Sequence, residues 1–563
     1  MLLIVGGIVA RTFALSLSAV EHFDEGVYAS NVWFGPPDYA YPLQALYAPP
    51  LVPALIEAAM LSGLPPNVAA LLPAWLAGSG TLVILWWCVR RWIGPVAALA
   101  CLALAACCDM HLLLSAAALT DGCLWMWVLL AVAAARHALL SSDLRWAVAA
   151  GLASGLAWWT KYNGWLPLAI VLAAAPLAWS VGIGSRALLG RWLKVAAIMA
   201  MVAGMVYIPW LLSLRSIGGY QAVAANHARY VVGLAGWPES VLRHLAQQRQ
   251  IQSWLSPLGV ALAVLLASPT RHPRHAWRIA WHGLLTAAAG LAAWWLGTLP
   301  LLAVAAAMGL ARTGWSLHLR GRGGTRQASP STQDGTPPHD SQVVTWSLIA
   351  AWWLGLLVAT PCYTPYARLA LGWIMASWLA TGLTVADQPS TDDRALFTRP
   401  LGWIFGAFLA AVAVSIGVLY SLQVIDPQAL MPSYLPRLSV RDTARQLVQA
   451  LPSSPARVVY VYGDPALFFQ LRAAGEPLVV PVAVVPAQPA EIQGQPVPTY
   501  LVVSSYAQRD PAFQRLWPEH AGQWHLVWQH VWRPSALVWL DWEDARQPQH
   551  VPTASVTVYR FRE

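Results

Sequence analysis

Charge is what this sequence has least of. Only 10% of its 563 residues are charged and 58% are hydrophobic, against about 25% charged in an average soluble domain. Such a chain cannot cover a soluble surface of ordinary charge density. Its six cysteines (Cys88, Cys101, Cys107, Cys108, Cys123 and Cys362) have no metal-like spacing, and none lies beyond residue 362. They read as small core residues, and the C-terminal part carries no disulfide framework. The net charge of +9 comes from arginines scattered over many short loops. No basic stripe with interleaved aromatics accompanies it, which excludes nucleic-acid binding. A basic n-region is missing before residues 1–20, and Arg11 interrupts their apolar run. That stretch therefore reads as an uncleaved first helix, not a signal peptide.

What is present is a series of apolar runs long enough to cross a bilayer, about 20 residues each, recurring to residue 421. They predict a mainly α, polytopic membrane protein of about thirteen spans: 2–20, 70–88, 94–108, 119–135, 146–160, 165–181, 195–213, 256–269, 279–293, 295–310, 344–360, 369–386 and 401–421. With a cytoplasmic N-terminus, the inside loops hold sixteen Lys and Arg, from Arg90 and Arg91 to Arg394 and Arg399. The outside loops up to residue 421 hold six: Lys161, Arg215, Arg229, Arg243, Arg249 and Arg368. That asymmetry sets the expected orientation in the plasma (inner) membrane. The loop 311–343, rich in Gly, Pro, Ser and Arg, is expected to be a disordered cytoplasmic connector. The first outer loop, 21–69, contains "PPLVPALIEAAML", a candidate short helix in the interface. No internal repeat of transporter type is visible.

Beyond residue 425 the pattern changes. "RVVYVYG" and "TYLVVSS" read as strands, and "DPALFFQLRAAG" as a helix with Asp464 at its N-cap. "SALVWLDW" and "VTVYRF" are expected to add two more strands. The predicted division is a membrane domain, 1–424, and an extracytoplasmic α/β domain, 425–563.

The first hydrophobic segment ends on "EHFDEGVYAS", with Glu21, Asp24 and Glu25 within five residues. In the predicted orientation Asp24 and Glu25 lie at the outer mouth of the membrane. Asp121 in "LTDGCLW", Lys161 in "WWTKYNGW", Tyr220, His227, Arg229 and Tyr230 in "GGYQAVAANHARYV", and Arg368 in "CYTPYARLA" share that leaflet. Ionisable groups beside hydrocarbon are costly, so their coincidence on one face points to a site. Each also has an ordinary reading. Asp24 suits interfacial solvation, Asp121 an N-cap, Lys161 a snorkelling side chain and His227 a solvated loop. Asp109 and His111 suit capping of the third span.

The order of motifs "HFDEGVYA", "YAPPLVPAL", "LTDG", "GLAWWTKYNGWL", "GGY" with a following His, and "YTPYARLALGWI" resembles the polyprenol-dependent glycosyltransferases of GT-C type. Within them it is similar to the protein O-mannosyltransferase and lipid A aminoarabinose transferase group, over about residues 10 to 385. The resemblance implies a membrane enzyme that takes a sugar from a polyprenyl-phosphate carrier in the outer leaflet. It would transfer that sugar with inversion to a hydroxyl of an envelope glycan, lipid or protein. It implies Asp24 as general base, Glu25 positioning the acceptor or the base, and Asp121 as the second acid. Lys161 and Arg368 would meet the phosphate, with Tyr162, Tyr220, His227 and Tyr366 binding substrate. Some relatives use a divalent cation, for which Asp24, Glu25 and Asp121 are the available oxygen ligands. The rivals are a transporter or flippase of lipid-linked sugars, which calls for mid-span charges and broken helices, and a non-catalytic scaffold.

Overall fold

The computed structural model describes the chain except residues 31–43, 142, 182–185, 268–275, 323–337, 386–431, 433, 453–455, 543–552 and 563. Twelve of the thirteen expected spans fall on helices. In chain order the helices of this part are α1 (Leu2–Ser16), α2 (Phe23–Ser30), α3 (Leu51–Leu61), α4 (Pro66–Trp92), α5 (Pro95–Ala106), α6 (Asp109–Leu114), α7 (Thr120–Ser141), α8 (Leu144–Thr160) and α9 (Leu166–Ser180). They continue with α10 (Arg186–Ser213), α11 (Gly219–Ala228), α12 (Trp237–Ile251), α13 (Leu255–Ala267), α14 (Ala276–Leu296), α15 (Thr298–Arg322), α16 (Pro338–Ala359) and α17 (Leu371–Gly382). The expected span 401–421 lies outside the described residues. Among the described residues five helical stretches, α4, α7, 188–217, 339–362 and 367–385, are long and apolar enough to cross a bilayer by themselves. α12 and α13, bent by 95° at their junction, make a sixth, whereas α1, α3, α5 and α9 are apolar but only 10–17 residues long. The connector expected over 311–343 is helical at both ends, since α15 runs to Arg322 and α16 begins at Pro338.

Two polar residues of the apolar part find specific partners. Arg11, fully buried on α1, donates to the carbonyls of Gly7 (2.8 Å) and Ala105 (3.1 Å) and bonds His111 Nδ1. Asp109 does not cap the third span as expected. It takes up the N-terminus of α13, accepting from Ser253 N (2.9 Å), Ser253 Oγ (2.5 Å) and Ser256 N (3.2 Å), with Tyr434 OH at 2.9 Å. A buried carboxylate at a helix's positive end with four donors is a satisfied group.

The second part is a five-stranded mixed sheet, β1 (Val458–Tyr462), β2 (Val479–Val482), β3 (Thr499–Ser504), β4 (Trp524–Trp532) and β5 (Ala554–Phe561), in spatial order β2-β1-β3-β5-β4. β1 is parallel to both neighbours, and β5 is antiparallel to β3 and β4. Helices α18 (Ser439–Ala450) and α19 (Pro465–Ala473) flank it. Asp464 caps α19, accepting from Leu467 N at 2.9 Å. The expected strand in "SALVWLDW" is instead a helical turn, α20 (Ala536–Trp539). Helical spacing sends Ala536, Leu537 and Leu540 into the core of the membrane part, while Val538 and Trp542 pack within the α/β domain. A strand could not divide that run between two cores in this way.

The two parts meet around residues 17–30. Ala19 N donates to Arg437 O and Arg437 N to Leu17 O, both at 2.8 Å. Gln470 Nε2 donates to Val20 O (2.7 Å) and Asn67 Oδ1 (2.8 Å). Helix α2 then lies directly on the start of α19. A Cβ on Gly26 would come within 2.1 Å of Ala466 N and 2.3 Å of Pro465 C. Backbone atoms cannot yield at such distances, so Gly26→Ala is expected to unseat the α/β domain. The measurement is limited proteolysis in detergent, with faster release of the C-terminal α/β part than in wild type.

Candidate active site

The three acids of "EHFDE" have three different fates, because α2 begins among them. Phe23–Ser30 is helical, so Asp24 and Glu25 sit in its first turn on different faces. Glu25 is fully buried. Its Oε2 accepts from Glu21 N (3.1 Å) and His22 N (2.9 Å) and pairs with Arg437, and its Oε1 accepts from Ala118 N at 2.7 Å. Both oxygens are committed, so Glu25 has none free for an acceptor, while its bonds to the amides just ahead of Asp24 suit the other expected role, positioning the base. Glu21 is buried as well, accepting from Ser535 N at 3.1 Å with Arg437 Nε at 3.9 Å. Burial pushes its carboxyl up against the pull of Arg437.

Of the three acids, Asp24 is the one paired with Arg368. Its Oδ2 lies 2.5 Å from Arg368 Nη2. Burial by itself would raise its pKa. The charge of Arg368, its hydrogen bond and the charge of Lys161 act together against that, and the carboxyl is held below its ordinary value. A second pair stands beside the first, Lys161 Nζ on Asp121 Oδ1 at 2.7 Å. Asp121 is in the first turn of α7, and Lys161 directly follows α8. Tyr28 on α2 lies between the pairs. Burial raises its hydroxyl's pKa most, and the charges of Asp24, Arg368 and Asp121 all act on it.

Three polar atoms here are buried without a partner among the described residues, Arg368 Nε, Asp121 Oδ2 and His227 Nε2. An unused donor on a guanidinium and an unused acceptor on a carboxylate are costly in a closed pocket. Together they mark a place for a ligand that accepts from Arg368 and donates to Asp121, as a phosphate and a hydroxylated sugar do.

Aromatic rings surround the paired charges. Residues 230–233 are stitched to 360–364, Thr364 N donating to Tyr230 O (2.7 Å) and Val232 N to Cys362 O (2.9 Å). Tyr230 lies 5.8 Å from the Tyr363 ring and 5.9 Å from that of Tyr366, and Arg368 sits 5.6 Å over Tyr366. His227 Nδ1 is 3.2 Å from Tyr363 OH. Burial, then the nearby Lys161 charge, pushes His227 below its ordinary pKa, so it is a neutral hydrogen-bonding group at pH 7. Tyr162 departs from expectation: its hydroxyl is spent on the Ala45 carbonyl. Its ring braces His227 (5.9 Å) and the half-exposed Tyr220 (6.0 Å).

The structure thus gathers Asp24, Asp121, Lys161, His227, Tyr366 and Arg368, and sets Glu25 apart. With Glu25 locked to Arg437, the three acids do not converge as a cation cage. Among the described residues no group of three or more His, Cys, Asp or Glu forms one. Sequence reasoning missed His22, Tyr28, Tyr363 and Asp541. His22 and Tyr28 flank the acid pair inside the same motif, whereas Asp541 lies 517 residues from Asp24 (541 − 24) and carries no local signal.

Fold and site together define a polytopic membrane protein with a cluster of paired charges where its helices meet an α/β domain. No family model and no curated protein matches the chain. Among solved structures it is similar to ArnT from Cupriavidus metallidurans, in the apo state (16% identity, 99% of this chain and 97% of that chain, TM-score 0.44) and bound to undecaprenyl phosphate (16%, 99% and 97%, TM-score 0.43). It is also similar to the archaeal oligosaccharyltransferase AglB from Archaeoglobus fulgidus in complex with an inhibitory peptide and a dolichol-phosphate (12%, 86% and 64%, TM-score 0.45). These are remote likenesses, and the chemistry rests on this chain's own side chains.

Proposed function

We propose that the chain is an inverting glycosyltransferase of GT-C type, moving a sugar from a polyprenyl-phosphate carrier to a hydroxyl of an envelope acceptor at the outer face of the membrane. The observation that carries this reading is the pairing of Asp24 with Arg368 beside Asp121 with Lys161, with Arg368 Nε and Asp121 Oδ2 left over. Transfer needs a base for the acceptor proton and cations for a phosphate that gains charge as it leaves. Asp24 takes the proton. The acceptor oxygen bonds to the anomeric carbon while the bond from that carbon to the phosphate oxygen breaks, and the electron pair stays on the phosphate. Arg368 and Lys161 meet that charge. Asp121 holds Lys161 and accepts from a sugar hydroxyl, and the Tyr230, Tyr363 and Tyr366 rings supply faces for the sugar. The domain division at about residue 424 and an extracytoplasmic α/β domain are part of the same proposal. A transporter is less well supported. The break between α12 and α13 is occupied by Asp109, and the mid-helix charge, Arg11, is tied to His111 and two carbonyls.

The test is a panel of undecaprenyl-phosphate hexoses and pentoses, incubated with purified protein and an envelope extract. Release of undecaprenyl phosphate with one donor supports the reading, and release with none overturns it. Binding of undecaprenyl phosphate checks the cations separately. A charged hydrogen bond contributes about 1.5–3 kcal/mol, so Lys161→Met and Arg368→Gln should each weaken binding roughly 10- to 100-fold. Unchanged affinity in both variants would remove them from the phosphate site.

A further inference from the structure

We propose that the α/β domain contributes Asp541 to the site as a positioning residue, which orients the His22 ring capping the Asp24 helix and shares the charge of Arg368. Asp541 Oδ2 lies 2.7 Å from His22 Nε2 and 4.0 Å from Arg368 Nη2, the same nitrogen that lies 2.5 Å from Asp24 Oδ2. One guanidinium thus stands between two carboxylates that come from opposite ends of the chain.

The protonation of His22 follows from its partners. Its Nδ1 accepts from Asp24 N at 3.1 Å. A backbone N–H can only donate, so Nδ1 carries the lone pair and the ring proton is on Nε2, pointing at Asp541. His22 therefore serves as the side-chain cap of α2, a position more often held by Ser, Thr, Asp or Asn. Asp541 supplies the orientation such a ring needs. Removing it leaves a buried Nε2–H with no acceptor and frees the ring to turn away from the Asp24 amide.

Asp541 is itself firmly placed. α20 sinks Leu537 and Leu540 into the core of the membrane part. Gln247 on α12 donates through Nε2 to both Pro365 O (2.9 Å) and Leu540 O (3.3 Å). One side chain therefore ties the residue before Asp541 to the loop that leads into Arg368. Seating of the α/β domain sets the base and its counter-ion together.

The electrostatic consequence rests on the reading of the site proposed above. A phosphate that takes Arg368 must draw it from Asp24, and Asp541 keeps the guanidinium from belonging to Asp24 alone. Without the Asp541 charge the pocket is more positive by one unit, so a lipid phosphate binds more tightly while Asp24 is harder to release.

The test uses the full chain in detergent with Asp541→Asn and Asp541→Ala, undecaprenyl phosphate as probe, and amide exchange at residues 24–28. Asparagine keeps an acceptor for His22 Nε2–H. Asp541→Asn should therefore leave exchange at residues 24–28 near wild type while tightening undecaprenyl phosphate binding about three- to tenfold. Asp541→Ala should tighten binding likewise and also speed that exchange about three- to tenfold, the scale of a lost cap. Exchange at residues 17–20 should be unchanged in both, which separates positioning from undocking of the domain. Wild-type affinity and wild-type exchange in both variants would make Asp541 a mere docking contact and overturn the proposal. Were undecaprenyl phosphate bound by no form of the protein while exchange still responded to Asp541→Ala, the phosphate reading would fall and the positioning role would stand.

Discussion

Asp24→Asn is expected to lower turnover by about 10²- to 10⁴-fold, the range for removal of a general base, while undecaprenyl phosphate should still bind. The asparagine is isosteric and keeps an acceptor for Arg368 Nη2, so the loss falls on kcat. The pH dependence should carry a more specific signature. In the resting pocket Arg368 holds Asp24 below its ordinary pKa, and that alone would make it a weak base. Burial acts in the other direction and is the largest influence on the group. When a lipid phosphate draws Arg368 away, burial prevails and the carboxylate becomes more basic. The acid limb of kcat is therefore expected at higher pH than that of kcat/KM, since the first reports the bound enzyme and the second the free one. Coincident limbs would sink this account of how the base is activated, and full turnover by Asp24→Asn would remove the base itself. The sign for stability is separate. A carboxyl with a depressed folded-state pKa stabilises the fold above its unfolded value, near 3.9. That contribution disappears as pH falls through the lower, folded value.

Glu25→Ala is expected to cost about 3–5 kcal/mol of stability, the scale for breaking a buried ion pair by removing one partner. Arg437 is fully buried with a guanidinium that also donates to Ala116 O at 2.9 Å, and it would be left without its principal counter-charge. The amides of Glu21, His22 and Ala118 would lose their acceptor at the same time. Thermal unfolding in detergent measures this, and adding Arg437→Met should restore part of the loss, since a missing pair costs less than a buried unpaired charge. A variant that melts like wild type yet has no turnover would return Glu25 to the chemistry. Neighbouring acids in one motif are thus predicted to fail differently, Asp24 through rate and Glu25 through folding.

Much of this molecule is legible along the chain. Apolar runs mark twelve described helices, short β-branched and aromatic runs mark β1, β3 and β5, and Asp464 before an apolar helix marks its own cap. Asp24, Asp121, Lys161 and Arg368 can be placed on one face by counting helices between them. The strand expected in "SALVWLDW" and the acceptor contact expected of Glu25 give way for a common reason. "SALVWLDW" has the composition of a strand, and Glu25 has the same local credentials as Asp24. In each case the outcome is set by a partner hundreds of residues away, the membrane core for α20 and Arg437 for Glu25.

What the sequence by itself determined is therefore the apolar helices, three of the five strands of the sheet and the end of the bundle at which charge collects, because these follow from apolar run length and from the cost of charge in hydrocarbon. What only the tertiary structure decided is the division of labour among buried charges: which carboxylate keeps an open cation, which is consumed by backbone amides, and that Asp541 belongs to the pocket at all. A charge in a low-dielectric interior is governed by neighbours within a few ångströms, and sequence distance says nothing about which those are.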